Sequence, residues 1–123
     1  MIIHESSEDY LEAMLMLREE KGYIRSVDVA EKLGVKKPSV SYATKRLRES
    51  GFITMDEGGL ISLTDAGLAV AERVYTRHKM LTGFLMRIGV DPETAREDAC
   101  KLEHDLSEPS FEALCRYAQE GEI

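Results

Sequence analysis

The stretch of residues 26–63 constrains the fold of this chain more than any other. Its apolar spacing predicts a short helix capped by Ser26 or Asp28, a turn at Gly34, and a second helix that starts near Pro38. A glycine-rich DEGG sequence between two short apolar runs then predicts a two-stranded hairpin. This order of elements is typical of a winged helix-turn-helix, so we expect a mainly α-helical protein with a small two-stranded wing.

Positive charge in this acidic chain is confined largely to the same stretch. The net charge is −7 over 123 residues, yet residues 21–50 contain eight basic and three acidic side chains, a net charge of +5. Residues 1–20 and 91–123 have net charges of −5 and −7. Because DNA phosphates attract a basic patch, this distribution favours DNA binding by the helix-turn-helix. Protein docking is the alternative, since winged-helix units also serve as docking modules.

The second helix of the motif and its approach supply the candidate DNA contacts. In a helix-turn-helix this helix enters the major groove, where cations face phosphates and small polar or aromatic side chains face base edges. The predicted DNA-binding residues are Arg25, the phosphate-facing Lys36, Lys37, Lys45 and Arg46, and the base-facing Pro38, Ser39, Ser41 and Tyr42. Asp56 and Glu57 at the wing tip would repel phosphate, so we expect the wing to contribute little.

Acids, imidazoles and a thiol at helical spacing form a second candidate site. The candidate metal ligands are Asp9 and Glu12 on a predicted first helix, His78 on a later long helix, and Cys100, Glu103 and His104 on one face of the next. They suffice for one or two divalent first-row ions. Oxygen and nitrogen ligands suit manganese or iron, and thiolate shifts the preference towards iron, cobalt or zinc. Taken singly, first-turn acids also stabilise a helix, and a lone histidine is often structural.

The composition and motifs of the sequence argue against a membrane protein, a secreted protein and an enzyme with a known catalytic motif. No apolar run is long enough to span a membrane, and the start MIIHE is not a signal peptide, so we expect a cytoplasmic protein without a membrane partner. Cys100 and Cys115 are accordingly interpreted as reduced thiols. The sequence contains neither a glycine-rich phosphate loop nor a catalytic-triad pattern, and no small organic substrate is expected.

The chain resembles the metal-dependent repressors typified by the diphtheria toxin repressor and the manganese transport regulator. The motifs that resemble the family are EDYLEAMLML, KKPSVS, LTDAG, RHKMLTGFL and DACKLEH. The last is the most specific, because it places Cys100, Glu103 and His104 at the family's ligand spacing. The resemblance implies a homodimer in which a divalent metal fixes the first helix against the dimerisation helices. That arrangement sets the two recognition helices for a palindromic operator in double-stranded DNA.

The ligand set resembles both branches of this family. Asp9 and Glu12 resemble the manganese branch, Cys100 resembles the iron branch, and His78 fits both. The resemblance therefore implies a binuclear site for Mn(II) or Fe(II), of the manganese type with one carboxylate replaced by thiolate, which can also take Co(II) or Zn(II) in vitro. From the resemblance, we also expect the chain to lack the SH3-like third domain of the iron branch.

These patterns together predict a metal-activated repressor, not an enzyme, that acts on metal-uptake genes. We expect a winged-helix DNA-binding domain over residues 1–71 and a helical metal-binding and dimerisation domain over residues 72–123. Two alternatives stay open. One is a winged-helix regulator without a metal switch, whose operator affinity would ignore a chelator; the other is a helical di-metal enzyme.

Overall fold

A computed structural model of the chain describes residues 3–120, with side chains from 7 to 119. In this range the elements are α1 (Ile3–Lys21), β1 (Ile24–Arg25), α2 (Ser26–Leu33), α3 (Lys37–Glu49), β2 (Ile53–Met55), β3 (Leu60–Leu63), α4 (Asp65–Arg87), α5 (Pro92–Asp105) and α6 (Glu108–Glu120). The predicted mainly helical class is confirmed. Two compact units, Met1–Glu72 and Arg73–Ile123, divide the chain within α4. Over the described range, every helix is too short or too polar to cross a membrane.

The N-terminal unit is built on the helix-turn-helix that the sequence predicts. Gly34 follows α2 with a φ of 68°, a left-handed conformation that favours glycine, and its amide donates to the Glu31 carbonyl. Pro38 lies in the first turn of α3, where its missing N–H removes no helical hydrogen bond. α3 buries Val40, Thr44 and Leu47 on one face. The opposite face is therefore available to solvent or to a partner.

The predicted two-stranded hairpin is confirmed as β2 and β3, and a third strand that the sequence analysis did not predict, β1, extends it to a three-stranded sheet. β1 pairs antiparallel with β3, with Ile24 opposite Ile61 and Arg25 opposite Leu60, and the strand order is β1-β3-β2. A strand of two residues is too short to show the alternation by which strands are recognised in a sequence. Only its pairing with a strand far along the chain reveals it.

The start of α2 also differs from the prediction. Arg25 occupies the N-cap position, and no side-chain hydrogen bond caps the helix in this part of the described chain. The chain passes directly from β1 into α2, so Ser26 and Asp28 already lie inside the helix. Asp28 instead accepts a 3.3 Å hydrogen bond from Lys21, which links α2 to the end of α1.

The junction between the wing and α4 has room only for glycine at position 67. A Cβ on Gly67 would overlap the carbonyl group of Phe52. Thr64 maintains this close approach, because its amide donates to the same Phe52 oxygen at 3.0 Å. Its hydroxyl donates to the Gly51 carbonyl at 2.7 Å and accepts from the Gly67 amide at 3.1 Å. Thr64 and Gly67 thus join the wing to α4.

We expect Gly67→Ala to lower the free energy of unfolding by about 1–3 kcal/mol, because backbone atoms must move to admit the methyl group. Gly83→Ala is the matched control on the same helix, since a Cβ there meets nothing within 4 Å. That control should be neutral, or stabilising by about 0.5–1 kcal/mol, because alanine favours a helix over glycine. Urea unfolding followed by circular dichroism measures both variants. Equal stability of the two would show that the junction relaxes without cost.

The C-terminal unit packs the second part of α4 with α5 and α6 around Leu81, Ala99 and Phe111. α5 begins after Asp91, whose carboxylate accepts a 3.0 Å hydrogen bond from the Thr94 amide. Residues buried on α5 recur every four positions and are Ala95, Ala99 and Glu103. A carboxylate therefore lies on the face that otherwise contributes alanines to the core.

Candidate functional site

His78 on α4 and two residues of α5 bring three different metal-binding donors together. Nδ1 of His78 lies 3.1 Å from Oε1 of Glu103 and 3.8 Å from Sγ of Cys100. All three residues offer ligand atoms within 4.8 Å of one another. An imidazole nitrogen, a carboxylate oxygen and a thiolate sulfur are all donors for divalent first-row ions. The donor set therefore fits a metal ion.

Glu103 is the buried centre of this cluster, with 1% of its surface exposed. Burying a carboxylate costs several kcal/mol unless a cation or hydrogen bonds compensate it. Among the residues that the structure describes, none donates a hydrogen bond to its Oε2, although Nε2 of His104 lies 3.5 Å away. A buried carboxylate with one oxygen unsatisfied is well suited to receive a cation.

The neighbours of His78 favour its protonated form. A hydrogen bond with Cys100, followed by one with Glu103, raises the pKa of His78 from 6.5 to about 10, against the opposing effect of burial. His78 is therefore an imidazolium at neutral pH when no metal is bound. Its charge partly compensates the buried carboxylate of Glu103 in that state.

The remaining predicted ligands lie on two different elements. His104, half-buried on α5, stands beside Glu103 at the distance given above. Asp9 and Glu12 lie on α1 in the N-terminal unit, where Asp9 is half-buried and Glu12 is buried. Their spacing of three residues places both on one side of that helix. The share of these two acids in a metal site stays a prediction.

Arg77 is a buried cation beside this cluster that the sequence analysis does not single out. Its guanidinium Nη1 donates to the carbonyl oxygens of Glu103 at 3.0 Å and Leu106 at 2.9 Å. Nη2 donates to the carboxylate of Glu108 at 2.7 Å, and the guanidinium carbon lies 4.9 Å from the centre of the Phe111 ring. Arg77 thus connects α4 to the end of α5 and the start of α6.

One signal in the sequence could have identified this arginine. Val74 and Leu81 are buried on α4, and Arg77 lies between them at helical spacing. A charged residue inside an apolar stripe is rarely buried unless it is paired. The partners themselves, two of which are carbonyl groups, leave no trace in the sequence.

The predicted DNA contacts of the helix-turn-helix lie on its exposed face. The exposed residues are Lys36, Lys37, Pro38, Ser39, Ser41, Tyr42, Lys45 and Arg46. Tyr42 has 62% of its surface exposed, a large fraction for an aromatic side chain. Arg46 donates a 3.1 Å hydrogen bond to the Tyr42 hydroxyl, and its guanidinium lies 5.6 Å from the ring centre. These two side chains therefore orient each other on the surface of α3.

The predicted contact Arg25 and the acidic wing tip have structural roles that sequence reasoning missed. Nη1 of Arg25 donates to the carbonyl of Gly58 at 3.1 Å, which ties β1 to the wing turn. The carboxylate of Asp56 accepts a 2.8 Å hydrogen bond from the Leu60 amide and closes that turn. The side chain of Asp56 therefore contributes an acceptor oxygen to the fold of the wing.

Comparison with known proteins assigns both halves of the chain to one family. Residues 3–59 match the iron dependent repressor, N-terminal DNA binding domain, and residues 64–122 match its metal binding and dimerisation domain. The transcriptional regulator MntR of Salmonella typhimurium is 38% identical over 113 residues, which cover 92% of this chain and 72% of that protein. The HTH-type transcriptional regulator MntR of Bacillus subtilis is 38% identical over 109 residues, with 89% and 77% covered.

Solved structures of manganese regulators share this fold. The manganese regulator SloR superposes with a TM-score of 0.82 at 30% identity, over 92% of this chain and 53% of that chain. A manganese-dependent transcriptional repressor in complex with manganese superposes with a TM-score of 0.80 at 27% identity, over 94% and 52%. The chain thus spans about half the length of these solved structures. The proteins it resembles regulate transcription, and the enzyme alternative is not favoured.

Proposed function

Since this chain belongs to the iron-dependent repressor family of metal-dependent transcriptional repressors, we propose that Mn(II) or Fe(II) activates it to bind an operator. The observation that supports this most is the cluster of His78, Cys100 and the buried carboxylate of Glu103. The regulated genes would be those of metal uptake, where repression by the imported ion itself closes a feedback loop.

The proposed ligands are the three clustered residues together with His104, Asp9 and Glu12, enough for a binuclear site. When bound, the ions would supply positive charge to a group of mutually repelling carboxylates. Without that charge, repulsion within the set of acidic ligands would disfavour the DNA-competent arrangement of the chain. Its relief shifts the population towards that arrangement. A coupling of about 1–3 kcal/mol, usual for allosteric systems, would tighten operator binding roughly 5–150-fold.

The choice of metal depends on the balance between oxygen and sulfur ligands. The likeness to manganese regulators and the acids Asp9 and Glu12 support Mn(II). The thiol of Cys100 supports Fe(II), because a thiolate is a poor ligand for the hard Mn(II) ion. Co(II) and Zn(II) suit the same nitrogen and sulfur donors and serve as probes in vitro.

Operator binding of the apo protein, measured by fluorescence anisotropy under anaerobic conditions, tests the proposal. The protein is titrated with Mn(II), Fe(II), Co(II) and Zn(II) separately, and a chelator is then added as the control. We expect activation by Mn(II) or Fe(II) that the chelator reverses. An operator affinity that is unchanged by every metal and by the chelator would favour a winged-helix regulator without a metal switch.

We propose that the DNA-bound form is a homodimer on a palindromic operator, read in the major groove by α3 of each subunit. The family's dimerisation domain and the exposed basic face of α3 support this arrangement. A two-fold symmetric dimer presents two identical helices, and it therefore matches two half-sites about one helical turn apart.

Lys45→Ala should weaken binding to every DNA sequence, because one phosphate contact is lost. The slope of the logarithm of affinity against the logarithm of salt concentration, here called the salt slope, should fall in magnitude by about 1. Ser41→Ala, one turn away on the same exposed face, is the matched variant for a base contact. It should change the preference between operator variants while leaving the salt slope unaltered. Anisotropy titrations over a range of salt concentrations separate the two effects. A loss confined to one operator variant in Lys45→Ala would contradict its assignment to phosphate.

Metal affinity should rise with pH between about pH 6 and 8, because His78 must lose its proton to become a ligand. The pKa of His78 is about 10 without metal, so over this range each metal ion displaces that proton. The same raised pKa stabilises the apo fold fully below pH 6.5, and that contribution is lost as pH rises through about 10. Co(II) titrations at several pH values should show that metal affinity rises less steeply with pH in His78→Gln than in the parent protein. An identical slope in both proteins would contradict this.

A further inference from the structure

We infer that Arg77 is a positioning residue of the metal centre, which holds Glu103 in place for metal binding without touching the ion. The inference rests on the proposed function, because it concerns the geometry of that site. Arg77 is the first residue of the RHKMLTGFL motif, but the metal-ligand pattern of the sequence does not include it.

Arg77 and His78 are neighbours on α4 and contact the same residue of α5 at two places. Arg77 donates to the main-chain carbonyl of Glu103, and His78 contacts its side-chain carboxylate. A residue that is held by both main chain and side chain has little freedom to rotate. The 3.1 Å separation between His78 and Glu103 therefore depends on the contact that Arg77 makes.

The carbonyls that Arg77 binds lie at the C-terminal end of α5, one in its last turn and one on the residue that follows the helix. α5 ends at Asp105, and the last carbonyls of a helix have no amide partner in the next turn. The guanidinium of Arg77 satisfies the oxygens of Glu103 and Leu106 with the same nitrogen. It thereby fixes the last turn of α5, which presents Glu103 and His104.

The hydrogen bonds of Arg77 to the two carbonyl groups should stabilise its position more than its ion pair with Glu108 does. Arg77 is only 4% exposed, and burying a guanidinium costs several kcal/mol unless it is well paired. The side chain of Glu108 is 59% exposed, so water screens its attraction to Arg77. The hydrogen bonds to the two carbonyls are less accessible to water. These bonds, and the Phe111 ring against the guanidinium, compensate part of the cost of burial, although Nε of Arg77 has no hydrogen-bond partner among the described residues.

The test compares anaerobic Co(II) binding by the full chain and three variants: Arg77→Gln, Arg77→Lys and Glu108→Gln. Co(II) is the probe because its absorption spectrum reports both the coordination geometry and the thiolate of Cys100. Arg77→Gln should bind Co(II) about 10–100-fold more weakly, the usual cost of removing a residue that orients metal ligands, and its spectrum should change. Arg77→Lys should lie in between, because an ammonium group keeps the charge but not the planar fork. Glu108→Gln should resemble the parent.

Every outcome of the Co(II) experiment either supports or overturns the positioning role of Arg77. Arg77→Gln that is less stable to heat but binds Co(II) with the affinity and spectrum of the parent would show a purely structural role and overturn the inference. If Arg77→Gln does not fold, Arg77→Lys provides the same comparison. A parent protein that binds no Co(II) would overturn the proposed metal centre, and this inference with it. Equal losses of Co(II) affinity in Glu108→Gln and Arg77→Gln would show that Arg77 acts through its ion pair with Glu108 and not through its hydrogen bond to the Glu103 carbonyl. That result would overturn the inference.

Discussion

Glu103→Gln is expected to abolish the metal response of operator binding. The substitution keeps the size and shape of the side chain, so the packing of α5 against the core should persist. It removes the negative charge from the buried centre of the cluster, where Oε1 lies 3.1 Å from His78. Without that charge, a cation must be taken out of water into a site that no longer compensates it. The loss of metal affinity should exceed the roughly 10–100-fold typical of residues that only orient ligands.

The matched control for this variant is Glu97→Gln, since Glu97 lies exposed on the same helix. Metal affinity is measured by anaerobic Co(II) titration, and the response is measured by operator anisotropy with and without Mn(II). The pKa of His78 in the apo variant should also fall towards its ordinary value, because one of its two hydrogen-bonding partners has lost its charge. A metal-activated Glu103→Gln protein would place the ion elsewhere.

Cys100→Glu is expected to shift the metal preference towards manganese. The substitution replaces a soft sulfur donor with a carboxylate, which suits Mn(II), at a position that is exposed and therefore has room for the longer side chain. We expect the ratio of Mn(II) to Co(II) affinity to rise by about tenfold or more, which is about 1.4 kcal/mol in relative binding free energy. Asp9→Met should shift the preference in the opposite direction, towards iron, if Asp9 is a ligand.

Cys115→Ala provides the control for the loss of a thiol. Cys115 lies on α6, and burial raises the pKa of its thiol, so it is a poor source of thiolate. Its removal should leave metal preference unchanged and preserve the sulfur-to-Co(II) absorption, which Cys100→Glu should lose. The same order of metals in Cys100→Glu, Asp9→Met and the parent would contradict the assignment of both ligands.

The local patterns of the sequence were enough to predict the helix-turn-helix and the one-sided spacing of the candidate ligands. Gly34 could be identified as a helix end because a left-handed residue after a helix is a property of a few neighbouring positions. Cys100 and Glu103 could be expected on one side of a helix because three residues make almost one turn. Such features depend on nearest neighbours in the chain, and short-range geometry is nearly the same in every protein.

Only the tertiary structure showed what depends on residues far apart in the chain. β1 is a strand because Ile24 pairs with Ile61, and its two residues carry no pattern of their own. The contact between His78 and Glu103, 25 positions apart, follows from the packing of α4 on α5. Arg77 acts through main-chain carbonyls, which every residue possesses and which therefore leave no mark in the sequence. Composition and spacing determined which chemical groups are available, and packing decided which of them meet.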